Sequence, residues 1–494
     1  MFAVLVLILI VFLICNGNRN CMDMPMDIEL IENHTFEEIK LGQSARLIRA
    51  LTLKDIQGFA AVSGDTNPAH LDAAYANEAL LHGVVAHGMW SAALISALLG
   101  TQFPGPGTIY RDQVLHFVKP VHIGDTVTVT VLVTALDASQ KTVDLDCLVI
   151  NQHGERVLHG IAKVLAPTTK IRLPRVEAPQ IQLFDPQSRF KDLLALSKGM
   201  QPVRCAVVHP CDEGSLSGAI DAARYGLIIP VLIGPEVRIR HVAAEAGIDL
   251  TGVEIISQPH SHAAAECAAE LAATDKVAML MKGSLHTDEL ILAVLAKPIL
   301  RTGRRMSHVF RFDVPLYHKP LLITDAALNI RPTLPEKVSI IQNAIDFARI
   351  LGVTEPRVAI LSAVEMVNPS IPSTLDAAAL CKMAERGQIT GGVLDGPLAF
   401  DNAVSLDAAR IKNIDSAVSG QADILAVPDL ESGNMLAKQL EYLAGASGSG
   451  IVLGARVPIA LTSRADGPSN RVSSALLALL VAHNARRDQP RAAW

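Results

Sequence analysis

From Thr126 to Val133 threonine alternates with valine or leucine, and from Val143 to Val149 apolar residues alternate with aspartate or leucine. A period of two buries one face of each segment, so both predict strands, and Arg156 to Leu165 continues the series. Upstream, Ala73 to Leu81 and Met89 to Leu99 carry helical spacing. The second is apolar nearly all round, which predicts a helix enclosed by other elements. A buried helix followed by antiparallel strands predicts a sheet wrapped on that helix, an α+β unit over 27–165.

Past this unit, Pro167, Pro174, Pro179 and Pro186 fall without periodicity, so 166–188 reads as an extended linker. From Pro202 short apolar runs alternate with helical stretches. The runs are Arg204 to Val208, Pro230 to Ile233, Val277 to Met281, Leu321 to Thr324, Val358 to Leu361, Ile424 to Val427 and Pro458 to Leu461. Runs without alternation fit strands covered on both faces by helices such as Ser261 to Thr274 and Glu336 to Leu351. The expectation for 189–494 is a largely parallel α/β domain of two lobes with a cleft between them.

The first 26 residues stand apart. Phe2 to Cys15 is unbroken and apolar, but it is shorter than the roughly 20 residues of a membrane span and has no basic residue before it. It reads as an over-extended start, with Met22, Met24 or Met26 as alternatives, and membrane contact is not expected.

Composition narrows the function classes. The chain has 494 residues and is 50% hydrophobic, which fits two or three globular cores. Its net charge of -6 argues against a nucleic-acid binder, so local cations and helix N-termini must hold any anionic substrate. The seven cysteines are scattered, with no C-x-x-C pair, unlike a disulfide framework or a zinc site. The expectation is a cytoplasmic protein without a metal.

Gly64 to Pro68 is turn chemistry that fixes the Asp65 carboxylate and, five residues on, the His70 imidazole. Such a pair suits hydration of a conjugated thioester, which needs one group to hold and deprotonate water and one to protonate the α-carbon. A plain Asx turn with a capping histidine fits the same residue types. The pattern F-x-x-x-S-G-D-x-N-P-x-H-x-D from Phe59 to Asp72 resembles the signature of the MaoC-like (R)-specific enoyl-CoA hydratases, and Val84 to Met89 resembles a second element of that family. The resemblance implies a hot-dog fold with Asp65 and His70 as the catalytic pair. It implies that the Gly88 amide, at a helix N-terminus, polarises the thioester carbonyl, and that Ser96 helps hold the carboxylate. Asn67 then supports the loop, and His87 is a packed histidine beside the cleft. Thioesterases share the fold but generally lack this signature.

No Walker A sequence occurs, and the GASGSG stretch with Gly445, Gly448 and Gly450 lies between a helix and a strand, the wrong order for a dinucleotide fingerprint. The run Arg456 to Ser469 places Thr462, Ser463 and Arg464 after an apolar strand, where hydroxyls and a guanidinium suit phosphate. A solvated loop fits those residues equally well. Leu361 to Asn368, Thr374 to Ala379, Asp395 to Ala403 and Pro428 to Asn434, with Met281 to Gly283 and Arg304 to His308, resemble the phosphate acetyl/butyryltransferase family over about 190–485. The first three segments look closer to its butyryl branch.

That resemblance implies transfer of an acyl group between CoA and phosphate. Ser463 and Arg464 would bind the phosphate, Asn434 and Lys438 the acyl phosphate, and Thr287 and Arg304 the substrate cleft. Asn470 stands where acetyl enzymes often carry an aspartate proposed as the base, which leaves Asp466 as a substitute, and Leu292 stands where relatives tend to carry arginine. The combined expectation is a bifunctional acyl-CoA enzyme: an α+β hot-dog unit, then the α/β transferase. CoA thioesters and inorganic phosphate would be its substrates, with no tightly bound cofactor, and it would form a homo-oligomer. A non-catalytic sensor of acyl-CoA or acyl phosphate, or a metal-dependent decarboxylating dehydrogenase of similar two-lobed build, are the rival readings of the second half.

Overall fold

The computed structural model describes residues 30–78, 82–175, 186–462 and 467–488. The chain separates into two compact units, Met1–Leu183 and Phe184–Trp494. The apolar run Phe2 to Cys15 and the alternative start methionines lie outside the described residues.

The first unit contains strands β1 (Leu30–Glu32), β2 (Ser44–Ala50), β3 (Ile109–Phe117), β4 (Thr126–Asp137), β5 (Thr142–Ile150), β6 (Arg156–Leu165) and β7 (Arg172–Pro174). Five of them form an antiparallel sheet in the order β2-β4-β5-β6-β3. The alternation works as the pattern predicts: Val127, Val129, Val131 and Val133 are buried while the intervening Thr126, Thr128 and Thr130 are half-buried. The sheet wraps the helix Gly88–Thr101, whose Trp90, Ile95, Leu98 and Leu99 join the strand valines in one core. This is the hot-dog arrangement. The helix Ala73–Glu78 covers most of the predicted 73–81 segment, of which 79–81 lie outside the described residues.

Residues 169–174 fall in the stretch that proline spacing marks as linker. There β7 pairs with β1 in an antiparallel ladder, and the Asn33 side chain donates to Thr169 O (2.9 Å) and accepts from the Ile171 amide (2.9 Å). The helix Pro186–Ala195 occupies the stretch's far end, in the second unit.

The second unit holds β8 (Val203–Val208), β9 (Ile228–Gly234), β10 (Glu254–Ser257), β11 (Met279–Lys282), β12 (Ser307–Asp313), β13 (Leu321–Thr324), β14 (Arg357–Leu361), β15 (Val393–Leu398), β16 (Ile424–Ala426), β17 (Ser447–Leu453) and β18 (Ile459–Ala460). They form one sheet in the order β10-β9-β8-β11-β18-β17-β12-β13-β16-β14-β15. The strands β10, β9, β8, β11 and β18 are mutually parallel, as are β13, β16, β14 and β15. Between these blocks β17 and β12 pair antiparallel to each other and to their flanking strands, so the two parallel blocks run in opposite directions. Each block has its own core on one face, and a shared core with the helices Leu334–Ile350 and Pro468–Asp488 joins them. Gly448 and Gly450 lie inside β17, not in a helix-to-strand turn.

Candidate functional sites

In the first unit the local sequence builds the site stepwise. Thr52 caps the helix Leu53–Ser63 through a capping box with Asp55, and Gly64 ends it at φ 74°, a left-handed value that suits glycine. The Asp65 carboxylate accepts the Asn67 amide (3.2 Å), and the Asn67 side chain accepts the Ala69 amide (3.1 Å). Asn67 therefore caps the short helix Pro68–Leu71, which carries His70.

Two backbone carbonyls then fix the imidazoles. His70 Nδ1 lies 2.9 Å from Val85 O, and His87 Nε2 lies 3.0 Å from Asp65 O. A carbonyl only accepts, so each of these nitrogens carries its proton, and neutral His70 presents a lone pair at Nε2. The His70 and His87 rings lie 3.9 Å apart between centroids with a 32° tilt, and the Phe59 ring is 5.0 Å from that of His87. Asp65 is exposed, His70 half-buried and His87 only 3% exposed. One donor atom each of Asp65, His70 and His87 lie within 4.8 Å of one another, a cluster the sequence spacing does not announce.

Gly88 opens the long central helix, and no side chain caps that end. The Trp90 amide turns back to His87 O (2.9 Å), so an oxyanion role falls to the amides ahead of it, that of Gly88 first. Ser96 is exposed, two turns or about 12 Å further along the same helix. No hydrogen bond in the structure joins Ser96 to Asp65, whose described carboxylate partner is the Asn67 amide.

In the second unit the predicted phosphate residues Ser463 and Arg464, and the substitute base Asp466, lie outside the described residues. Their surroundings are described. Thr462 follows β18, and its hydroxyl accepts from Arg471 Nη1 (3.0 Å), a guanidinium only 3% exposed. Asp212, which caps the helix Glu213–Arg224, belongs to the same cluster. Burial alone would raise its carboxyl, but hydrogen bonds from Ser215 and Ser284 and the charge of Arg471 hold it below the usual value. Asn470, with Ser469, Ser473, Arg311 and Asp313, lines a cavity of about 910 Å³.

At the end of β13 Asp325 is buried and heavily bonded. It accepts the amides of His308 (3.1 Å), Ala327 (2.9 Å) and Leu328 (3.0 Å) and the side chain of Asn329 (2.6 Å). Burial pushes His308 well below the usual histidine value, and the nearby Asp325 only partly restores it. The helix Leu430–Tyr442 presses on this loop through Gly433, where a Cβ would stand 2.9 Å from Asp325 O. Asn434 donates to Ala326 O (3.2 Å) and so ties the helix to the Asp325 loop.

The other predicted residues stand elsewhere. Lys438 pairs with Glu441 (2.8 Å) and lies over the Tyr442 ring. Thr287 opens the helix Thr287–Leu295, on which Leu292 is exposed, and Arg304 pairs with Asp346 beside Gly454. No described hydrogen bond or ion pair brings Thr287, Arg304 or Lys438 to Thr462. Sequence reasoning missed Arg471, Asp212, His308 and Asp325. Arg471 beside Asn470 offered a signal, since it is a charged residue just ahead of the apolar run from Ala475.

A hot-dog unit with an Asp–His pair at an open helix N-terminus, followed by an α/β unit with polar clusters at its strand ends, defines a two-part enzyme. Residues 36–152 match the family model described as MaoC like domain, and 262–479 match that of phosphate acetyl/butaryl transferase. A phosphate acetyltransferase of Rhizobium meliloti is 58% identical over 303 residues, 61% of this chain and 96% of that protein. The chain belongs to the phosphate acetyl/butyryltransferase family through its second unit and carries a MaoC-like domain in its first. A branched-chain phosphotransacylase of Enterococcus faecalis V583 is 28% identical with a TM-score of 0.51, covering 57% of this chain and 99% of its own. An R-hydratase of Pseudomonas aeruginosa is 41% identical over 32% of this chain and all of its own, with a TM-score of 0.31. The motifs that look closer to the butyryl branch thus coexist with high identity to a relative named for acetyl transfer.

Among the described residues no helix is long and apolar enough to cross a membrane.

Proposed function

We propose that the chain is a bifunctional acyl-CoA enzyme. Its first unit hydrates and dehydrates enoyl-CoA with (R) specificity, and its second moves a short acyl group between CoA and phosphate. The observation that carries this reading is the coexistence of the Asp65–His70–Gly88 arrangement with a second unit 58% identical to a phosphate acetyltransferase. A thioester of CoA is the substrate class that both chemistries share.

In hydration the water oxygen bonds to C3 of the enoyl group as the C2=C3 π bond breaks. The water's proton passes to the Asp65–His70 pair, where the free Nε2 of His70 and the exposed carboxylate are the acceptors. The electron pair moves through C2 to the thioester oxygen, which the Gly88 amide stabilises, and C2 then takes a proton from the pair. In the second unit the CoA thiolate attacks the acyl-phosphate carbonyl and phosphate leaves, gripped by Ser463 and Arg464. Asn434 acts there through the Asp325 loop it holds.

The five described cysteines are free, which fits a cytoplasmic location, and a homo-oligomer is the expected assembly. Neither half needs a resident cofactor: CoA thioesters and inorganic phosphate are substrates.

Crotonyl-CoA hydration and phosphate-dependent cleavage of acetyl- and butyryl-CoA, measured on one preparation, test the reading. Asp65→Ala should lower hydration by about 10²–10⁴-fold and leave transfer intact, and Ser463→Ala the reverse. A folded wild-type protein without either activity refutes the proposal.

A further inference from the structure

We infer that His87 is a positioning residue of the hydratase site, holding Asp65 and His70 in register with the Gly88 amide. The inference rests on the hydratase reading of the first unit. Three contacts of one side chain carry it. Its Nε2–H donates to the backbone carbonyl of Asp65 (3.0 Å), its ring packs tilted against that of His70 (3.9 Å between centroids), and its own backbone caps the helix that Gly88 opens. Asp65 and His70 come from one loop and Gly88 from another segment, and His87, the neighbour of Gly88, reaches across to both members of the pair.

The ring is held in turn. It is 3% exposed, with Phe59 5.0 Å away. The donated proton fixes the tautomer, so Nδ1 is left as a buried nitrogen without a hydrogen-bond partner. A buried nitrogen without a partner has a desolvation cost. A phenylalanine would fill the same space without that cost, so packing alone does not explain a histidine here. The feature that a histidine adds is the Nε2–H bond to Asp65 O, which sets where the catalytic carboxylate stands.

The test compares His87→Phe, which keeps an aromatic face and loses the donor, with His87→Gln, which keeps an N–H donor of similar reach. Steady-state crotonyl-CoA hydration and thermal melting are measured for both. His87→Phe should lower kcat by about 10–100-fold, as displacement of a catalytic group does, with KM within about twofold of wild type. His87→Gln should regain most of that loss. In an Asp65→Asn background, His87→Phe should cost less than about twofold more, because it acts through the group already removed.

An unchanged kcat in His87→Phe overturns the inference, as does an equal loss in both variants or an additive loss in the Asp65→Asn background. Stoichiometric metal in the purified protein with chelator-sensitive hydration also overturns it, by making His87 a ligand. Long-range ¹H–¹⁵N correlation of the His87 ring should show a proton on Nε2, and a proton on Nδ1 alone would sink the idea. That measurement needs no turnover, so it separates failure of this inference from failure of the hydratase reading, which shows instead as wild-type protein inactive on enoyl-CoA.

Discussion

Substituting alanine at Gly433 sets two effects of opposite sign against each other. Gly433 lies in the helix Leu430–Tyr442, where alanine is favoured over glycine by about 0.8–1 kcal/mol. The added Cβ would stand 2.7 Å from Val427 Cγ2, 2.9 Å from Asp325 O and 3.1 Å from Ala326 Cα. The valine can rotate, but the Asp325 loop cannot easily retreat, because its carboxylate is fixed by four hydrogen bonds. Overpacking against such backbone costs about 1–3 kcal/mol, so once the propensity gain is subtracted the net destabilisation should reach up to about 2 kcal/mol. The assay is urea unfolding of the full chain, with the second unit's transition followed through loss of phosphate-dependent acetyl-CoA cleavage. Met435→Ala, at an exposed position of the same helix, serves as the control with little expected change. The midpoint should fall for Gly433→Ala. A midpoint that rises would show that helix propensity dominates and that the Asp325 loop yields, which refutes the claim that this loop is rigidly held.

Three further outcomes follow from the geometry. His308 has its folded-state value lowered by burial, so the unfolded chain takes up its proton first; stability from this group is complete above about pH 6.5 and falls as the pH drops below it, by up to about 1.4 kcal/mol per unit. Urea midpoints of wild type and His308→Gln from pH 7 to 5 should therefore converge, and parallel curves would contradict the assignment. Leu98→Ala, at a fully buried position of the central helix, should cost about 2–5 kcal/mol and abolish hydration before transfer on heating. Asn67→Ala removes the cap of the His70 helix and should cost about 1 kcal/mol, read as a lower melting point with a lowered hydration kcat.

Where one physical pattern ruled a segment, the sequence disclosed it. The valine-threonine alternation of β4 and the all-round apolar helix Gly88–Thr101 are where periodicity puts them. In the second unit, the strands left unread break the pattern for reasons visible in the fold. β12 buries His308, Arg311 and Asp313, with Arg311 and Asp313 paired at 2.5 Å, so its charges read as exposed although their partners are internal. β15 carries Asp395, Gly396 and Pro397, and β17 carries Gly448 and Gly450, residues that usually end strands. β10 (Glu254–Ser257) is an edge strand with only Ile255 and Ile256 apolar, too few for an apolar run to show. At the hydratase site the Asp65–His70 pair was readable because it is local in sequence. The His87 contact joins residues 22 positions apart, and the Arg471–Asp212 cluster joins residues hundreds apart, so only folding brings them together.

The strand order of the second unit has a consequence for how the protein is made. β18 completes the block begun by β8, β9, β10 and β11, yet every strand of the opposing block is translated before it. The early strands therefore leave the ribosome with an unfilled edge beside β11, and they wait for some 180 further residues, at roughly 5–20 residues per second, before that edge is sealed. For that interval an open β-edge rich in Met279, Leu280 and Met281 is exposed to other chains. The hot-dog unit, complete by then, has no such delay. Aggregation during synthesis should thus originate in the transferase half and grow worse with anything that slows the arrival of residues 459–488.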